Sequence, residues 1–183
     1  SYFLKNNVGK IPYEKIIQDF ESIIKNPIFK RDGFELHSVQ SRIFYFLTIA
    51  NYYNVLQQKE NETINLENTI EVFDLNPFYK EENPLDYISV YTRIIDIYKK
   101  SDDITFHNKI DALRSFENIL DFQKNVAKER IFFHTHHSEL EFLIFNNNFE
   151  EATKIMQLVI KTLKENKYNI EPYYFIGLYY QFA

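Results

Sequence analysis

Cysteine is absent from the 183 residues, so neither a disulfide framework nor a zinc–thiolate centre can be built from this chain. Glycine is scarce, at three residues, whereas nucleotide-binding loops need glycine to let the backbone approach phosphate. The stretch NNVGK at residues 6–10 lacks the first glycine of a phosphate loop and the Ser/Thr after its lysine, and it reads as an ordinary loop. So little glycine, with five prolines, also argues against a turn-rich β fold. No apolar run approaches the roughly 20 residues of a membrane span, and no membrane partner is expected. A basic stripe is missing too. Lys99-Lys100 and the lysines between 161 and 167 are interrupted by acids, and the formal charge is −5 with a pI near 5.6. A nucleic-acid partner is therefore not expected, because phosphate contacts dominate such binding.

What is present is apolar and aromatic. The chain is 45% apolar and 26% charged, with 14 Tyr and 18 Phe, enough for one domain or one repeat array with a substantial core. The dominant period is helical. A first helix is expected over Tyr13 to Lys25, with Ile16, Ile17, Phe20, Ile23 and Ile24 as its apolar stripe, followed by a break at NPIFKRDGF. Further helices are expected from Ser38 to Gln58, within the segment that stops at Pro77, from Pro84 to Lys100, from Lys109 to Phe122, from Val126 to Phe145, from about Phe149 to Lys164, and from Pro172 onward. Loops are expected at Gln57–Thr63 and Ser101–His107. Asn83 and Asn148 stand at cap positions, with Pro84 and Asp86 suited to a first turn.

The last segment reads YYFIGLYYQFA, in which Tyr173, Ile176, Gly177 and Tyr180 form an aromatic-x2-aliphatic-Gly-x2-Tyr pattern. The pattern returns as Phe46, Ile49, Ala50 and Tyr53, and again as Tyr91, Ile94, Ile95 and Tyr98. Between them, Phe149, Ala152, Met156 and Val159 follow an aromatic/alanine spacing, as do Ala112, Phe116 and Ile119, and more loosely Leu66, Ile70 and Phe73. These patterns resemble the tetratricopeptide repeat, whose first helix carries W-x2-L-G-x2-Y. The small-residue slots fall at Ala50, Ile95, Leu140 and Gly177, at spacings of 45, 45 and 37 residues, against about 34 in the family.

The resemblance implies an all-α fold: a right-handed helical-hairpin solenoid, a tetratricopeptide-like superhelix. Residues 1–37 would be an N-terminal helix and connecting loop. Residues 38–183 would be about three helix pairs plus the first helix of a fourth. The chain ends within that helix, so a longer protein, with further repeats or a second domain beyond Ala183, is expected, since solenoids need a polar capping element.

The segment from His134 to Glu141 holds three histidines and two glutamates. His134, His137 and Glu141 are spaced three and four apart and share one helical face. The resemblance places that face on the concave groove of a solenoid, with Asn51, Asn54, Asp96 and Tyr174. It implies a non-enzymatic scaffold that holds a neutral or basic protein or peptide segment, without a cofactor, in a cytoplasmic setting. A ligand-sensing regulatory module of a larger protein is the first alternative. A metal-dependent hydrolase using the His134–Glu141 cluster is the second. The zincin pattern H-E-x-x-H is absent, no distant fourth ligand is evident, and no metal is expected.

Overall fold

The computed structural model describes residues 13–100, 103–121 and 125–165. These contain eight α-helices, two single-turn 3-10 segments and no strand among the described residues. The all-α class read from the sequence is thus the observed one. The chain divides into two compact units between Glu82 and Asn83, and the N-terminal helix packs on the helix that follows it.

In the first unit, α1 (Tyr13–Ile24) and α2 (Val39–Val55) are joined through the 3-10 segments Pro27–Lys30 and Gly33–Glu35. Asn26 and Asp32 cap these segments, their side chains accepting from Ile28 N (3.1 Å) and Phe34 N (2.9 Å). Ring contacts then tie α1 and the connection to α2: Phe20 to Tyr52, Phe29 stacked on Tyr45 at 5.2 Å, and Phe34 against Phe46 at 4.8 Å. Gly33 is buried beneath these rings. A Cβ there would meet the Tyr45 ring and lie 2.8 Å from Phe46 Cζ, so only glycine lets the backbone come this close. Four of the five expected stripe residues of α1 are half-buried, while Ile23 is exposed. The strongly apolar α2 is covered by α1, the second 3-10 segment and α3 (Lys59–Asp74), as an all-round apolar helix requires. The short α4 (Pro77–Glu82) starts at the proline expected to stop the chain, where its fixed φ suits a first helical turn.

In the second unit, α5 (Pro84–Tyr98) and α6 (Asp103–Glu117) run antiparallel: Tyr87 meets Phe116 at 4.6 Å, and the Lys109 ammonium lies 5.7 Å from the Tyr91 ring centre. α6 also packs on α7 (Asn125–Phe145), where Phe106 stacks on Phe142 at 4.7 Å. α8 (Phe149–Lys164) closes the unit over a cluster of Phe132, Leu140, Leu143, Ala152, Met156 and Val159. The alanine and methionine of the repeat-like pattern are therefore core residues. So are the slots Ala50, Ile95 and Leu140, each at 0% exposure.

Two expected loops are helical. α3 begins at Lys59, so the loop expected at Gln57–Thr63 shrinks to Gln57 and Gln58, and α6 begins at Asp103, so most of Ser101–His107 is helix. Burial accounts for both. Glu62 (2% exposed) and Phe106 (0% exposed) are drawn into the interior, and a fully buried Phe contributes about 2–3 kcal/mol, enough to carry a weak helical turn with it.

The α2–α3 and α7–α8 connections are the same turn. Gln57 and Asn147 both have φ 57°. Gln58 N bonds Tyr53 O at 2.9 Å and Gln57 N bonds Asn54 O at 3.1 Å; Asn148 N bonds Leu143 O at 2.8 Å and Asn147 N bonds Ile144 O at 3.0 Å. This pair of bonds, with a left-handed residue between, is the Schellman motif that satisfies the last helical carbonyls.

Candidate functional site

The expected site residues fall into three groups. Tyr174 lies outside the described residues, as does Gly177. Asn51 and Asn54 belong to α2 in the first unit. Asn51 is exposed, but Asn54 faces inward, its amide donating to the buried Glu62 carboxylate at 2.7 Å, with Lys59 Nζ at 3.1 Å from the same group. Asn54 thus supports a buried acid.

Asp96, His134, His137 and Glu141 come together in the second unit. They lie on α5 and α7, which run in the same direction, since Asp96 acts on His134 near the start of the face and Lys99 pairs with Glu141 further along. Lys99 organises the group: its ammonium donates to Asp96 at 3.0 Å and to Glu141. Burial opposes its charge, but the bonds to Glu141 and Asp96 outweigh this and raise its pKa above the ordinary lysine value. His137 Nδ1 lies 3.5 Å from Glu141 Oε2, the local contact its i,i+4 spacing predicts. His134 is half-buried. Burial, then the nearby Arg130 guanidinium, lowers its pKa, with Asp96 acting in the other direction.

The two remaining titratable residues of the histidine segment turn toward the interior. His136 Nδ1 donates to the Phe132 carbonyl at 2.7 Å, which places the proton on that nitrogen, and its ring packs on Phe132. Burial lowers its pKa, against the partial effect of that hydrogen bond. Glu139, 9% exposed, is gripped by Arg114 of α6 through its two terminal guanidinium nitrogens, Nη1 at 2.8 Å and Nη2. His136 and Glu139 are thus accommodated beside the core by hydrogen bonds. No buried side-chain N or O among the described residues lacks a partner.

Among the described residues, no three of His, Asp and Glu converge as a cation-binding set. His137 and Glu141 come closest, but the Lys99 ammonium already sits against that carboxylate. Beyond it, where α5 and α7 both end, Lys99, Lys100, Glu141, Ile144 and Phe145 line a pocket of about 370 Å³. The i,i+3 spacing of Asp96 and Lys99 is visible in the sequence. The closure of Lys99 onto Glu141, 42 residues away, and the pocket beyond it are not.

Compared with known proteins, the chain matches no family model, no curated protein and no solved structure. No helix among the described residues is long and apolar enough to cross a membrane.

Proposed function

We propose that the chain is a binding scaffold, a tetratricopeptide-like array of helix hairpins that holds a protein or peptide segment against the α5–α7 face of its second unit. The observation that carries this reading is the gathering of Asp96, Lys99, His134, His137 and Glu141 from two parallel helices on one partly exposed face. Equal spacing of the buried slots Ala50, Ile95 and Leu140, and the repeated turn at Gln57 and Asn147, support the repeat architecture. Histidine and carboxylate groups on such a face can serve the donors and acceptors of an extended backbone. Lys99 already engages both carboxylates, which favours a neutral segment over a basic one. The reading is tested by capturing a partner and measuring its affinity calorimetrically for the parent, Glu141→Ala and His134→Ala, with circular dichroism to show that each variant folds. Both variants are expected to weaken binding. Parental affinity in both, with loss on substitution of the exposed Leu158 of α8, would move the interface elsewhere.

A second reading, a ligand-sensing module of a larger protein, is favoured by the pocket at the ends of α5 and α7, whose volume falls within the range of small-molecule sites.

A further inference from the structure

We propose that the pocket at the C-terminal ends of α5 and α7 is a site for a small organic acid: a single ring or short apolar chain carrying one carboxylate. The inference rests on the ligand-sensing reading and goes beyond it by naming the ligand chemistry. The apolar wall is Ile144 and Phe145, and Phe145 is 73% exposed, so part of its ring remains uncovered. A flat or branched apolar group laid against these two side chains removes area from water that the fold itself leaves wet.

The polar wall selects the charge. Among the described residues, those lining the pocket supply two ammonium groups, Lys99 and Lys100, against one carboxylate, Glu141. Glu141 is already bonded by Lys99, so an incoming cation would have to compete with a partly buried ammonium. An incoming anion meets open donors. An ammonium has three N–H groups. Lys99 directs two of them to Asp96 and Glu141, which leaves one, while Lys100 is exposed and has no ion-pair partner among the described residues. Lys100 also follows the C-terminus of α5, where a cation offsets the helix dipole. A purely structural role there predicts that changing it alters stability slightly and ligand preference not at all.

The test uses three probes of one shape and different charge, 3-phenylpropionate, 3-phenylpropanamide and 2-phenylethylammonium, titrated into the isotopically labelled full chain and followed by amide chemical shifts. The acid should produce saturable shifts centred on residues 99–100 and 141–145, with affinity about tenfold above the neutral amide, the difference expected for one charge-assisted hydrogen bond. Lys100→Gln should remove most of that difference, and Lys100→Glu should turn the preference toward 2-phenylethylammonium. Lys100 is exposed, so both variants should fold, which circular dichroism checks. Equal binding of the three probes, stronger binding of the ammonium, shifts centred elsewhere, or no saturable shift would each overturn the proposal. A dilution series is run beside the titration, and shifts that follow chain concentration rather than probe would assign the pocket to self-association and overturn it as well. If the acid fails to bind while Glu141→Ala still weakens a captured protein partner, the pocket inference falls and the scaffold reading stands.

Discussion

In the first unit α2 passes into α3 through Gln57, and in the second α7 passes into α8 through Asn147, with the same φ and the same two capping bonds. The two residues stand 90 positions apart, twice the 45-residue spacing of the buried slots. With the hairpins laid over each other on that offset, their contents differ at the turn end. Asn54, Lys59 and Glu62 of the first correspond to Ile144, Phe149 and Ala152 of the second. In the first, a carboxylate is buried and held by an amide and an ammonium of its own hairpin. In the second, a methyl group lies at the bottom of an apolar cluster. The turn is decided by local backbone bonding and is indifferent to what fills the hairpin. A polar filling is tolerated where its partners come with it.

The sharpest way to break this comparison is Ala152→Glu. The substitution buries a carboxylate where the corresponding neighbours, Ile144 and Phe149, offer no donor, and it should cost about 3 kcal/mol or more. Urea unfolding measures it, and a loss below about 1 kcal/mol would mean that the second hairpin can supply what the first one does.

Arg114→Ala is expected to come next. It strips Glu139 of a partner donated by a different helix, and the half-exposed position of Arg114 places the cost at about 2–3 kcal/mol. Asn54→Ala, which removes a neutral donor from Glu62 while Lys59 stays, should cost less, about 1–2 kcal/mol. If the order of these two reversed in equilibrium unfolding, the network inside the first hairpin would be the tighter of the pair.

Acidification should separate the units. Burial holds His134 and His136 neutral below the ordinary histidine value of 6.5. The unfolded chain then binds more protons than the folded one in the window below about 6.5, and stability falls as pH drops through it. Lys99 acts in the opposite range: its raised pKa gives a contribution that is complete below 10.5 and is lost as pH rises through the folded value. Hydrogen exchange at pH about 5 against 7 should show protection falling in α7 before α2. Equal loss in the two helices would count against this assignment.

The smallest effect is the most direct test of the shared turn. Gln57→Gly and Asn147→Gly each relieve a left-handed residue, and Gln57→Gly should stabilise more, by about 0.5–1 kcal/mol, because asparagine tolerates this conformation better than glutamine. Thermal melts that move in parallel for both substitutions would show that the side chains, and not only the φ values, are equivalent.

Much of the helical layout was legible because its signals are local. The bounds of α1, α7 and α8 agree with the apolar period and with Asn148, whose side chain accepts from Glu151 N at 3.4 Å. The early starts of α3 and α6 were not legible, because polar residues around Glu62 and Phe106 give no periodic signal until a tertiary partner buries them. Asn54 shows the same limit at the candidate site. Its place on a helical face could be counted, but its commitment to Glu62 depends on how α3 comes back against α2.

By itself, then, the sequence determined that the chain is helical, where most helices end, and that His134, His137 and Glu141 share a face, since all three follow from spacing along a 3.6-residue period. Only the tertiary structure decided which charges meet. Lys99 reaches Glu141 because α5 and α7 lie side by side in the same direction, Arg114 reaches Glu139 because α6 packs against α7, and the pocket exists because α5 and α7 end at the same level. Such contacts join residues far apart in the chain, and their geometry is set by core packing rather than by any pattern along it.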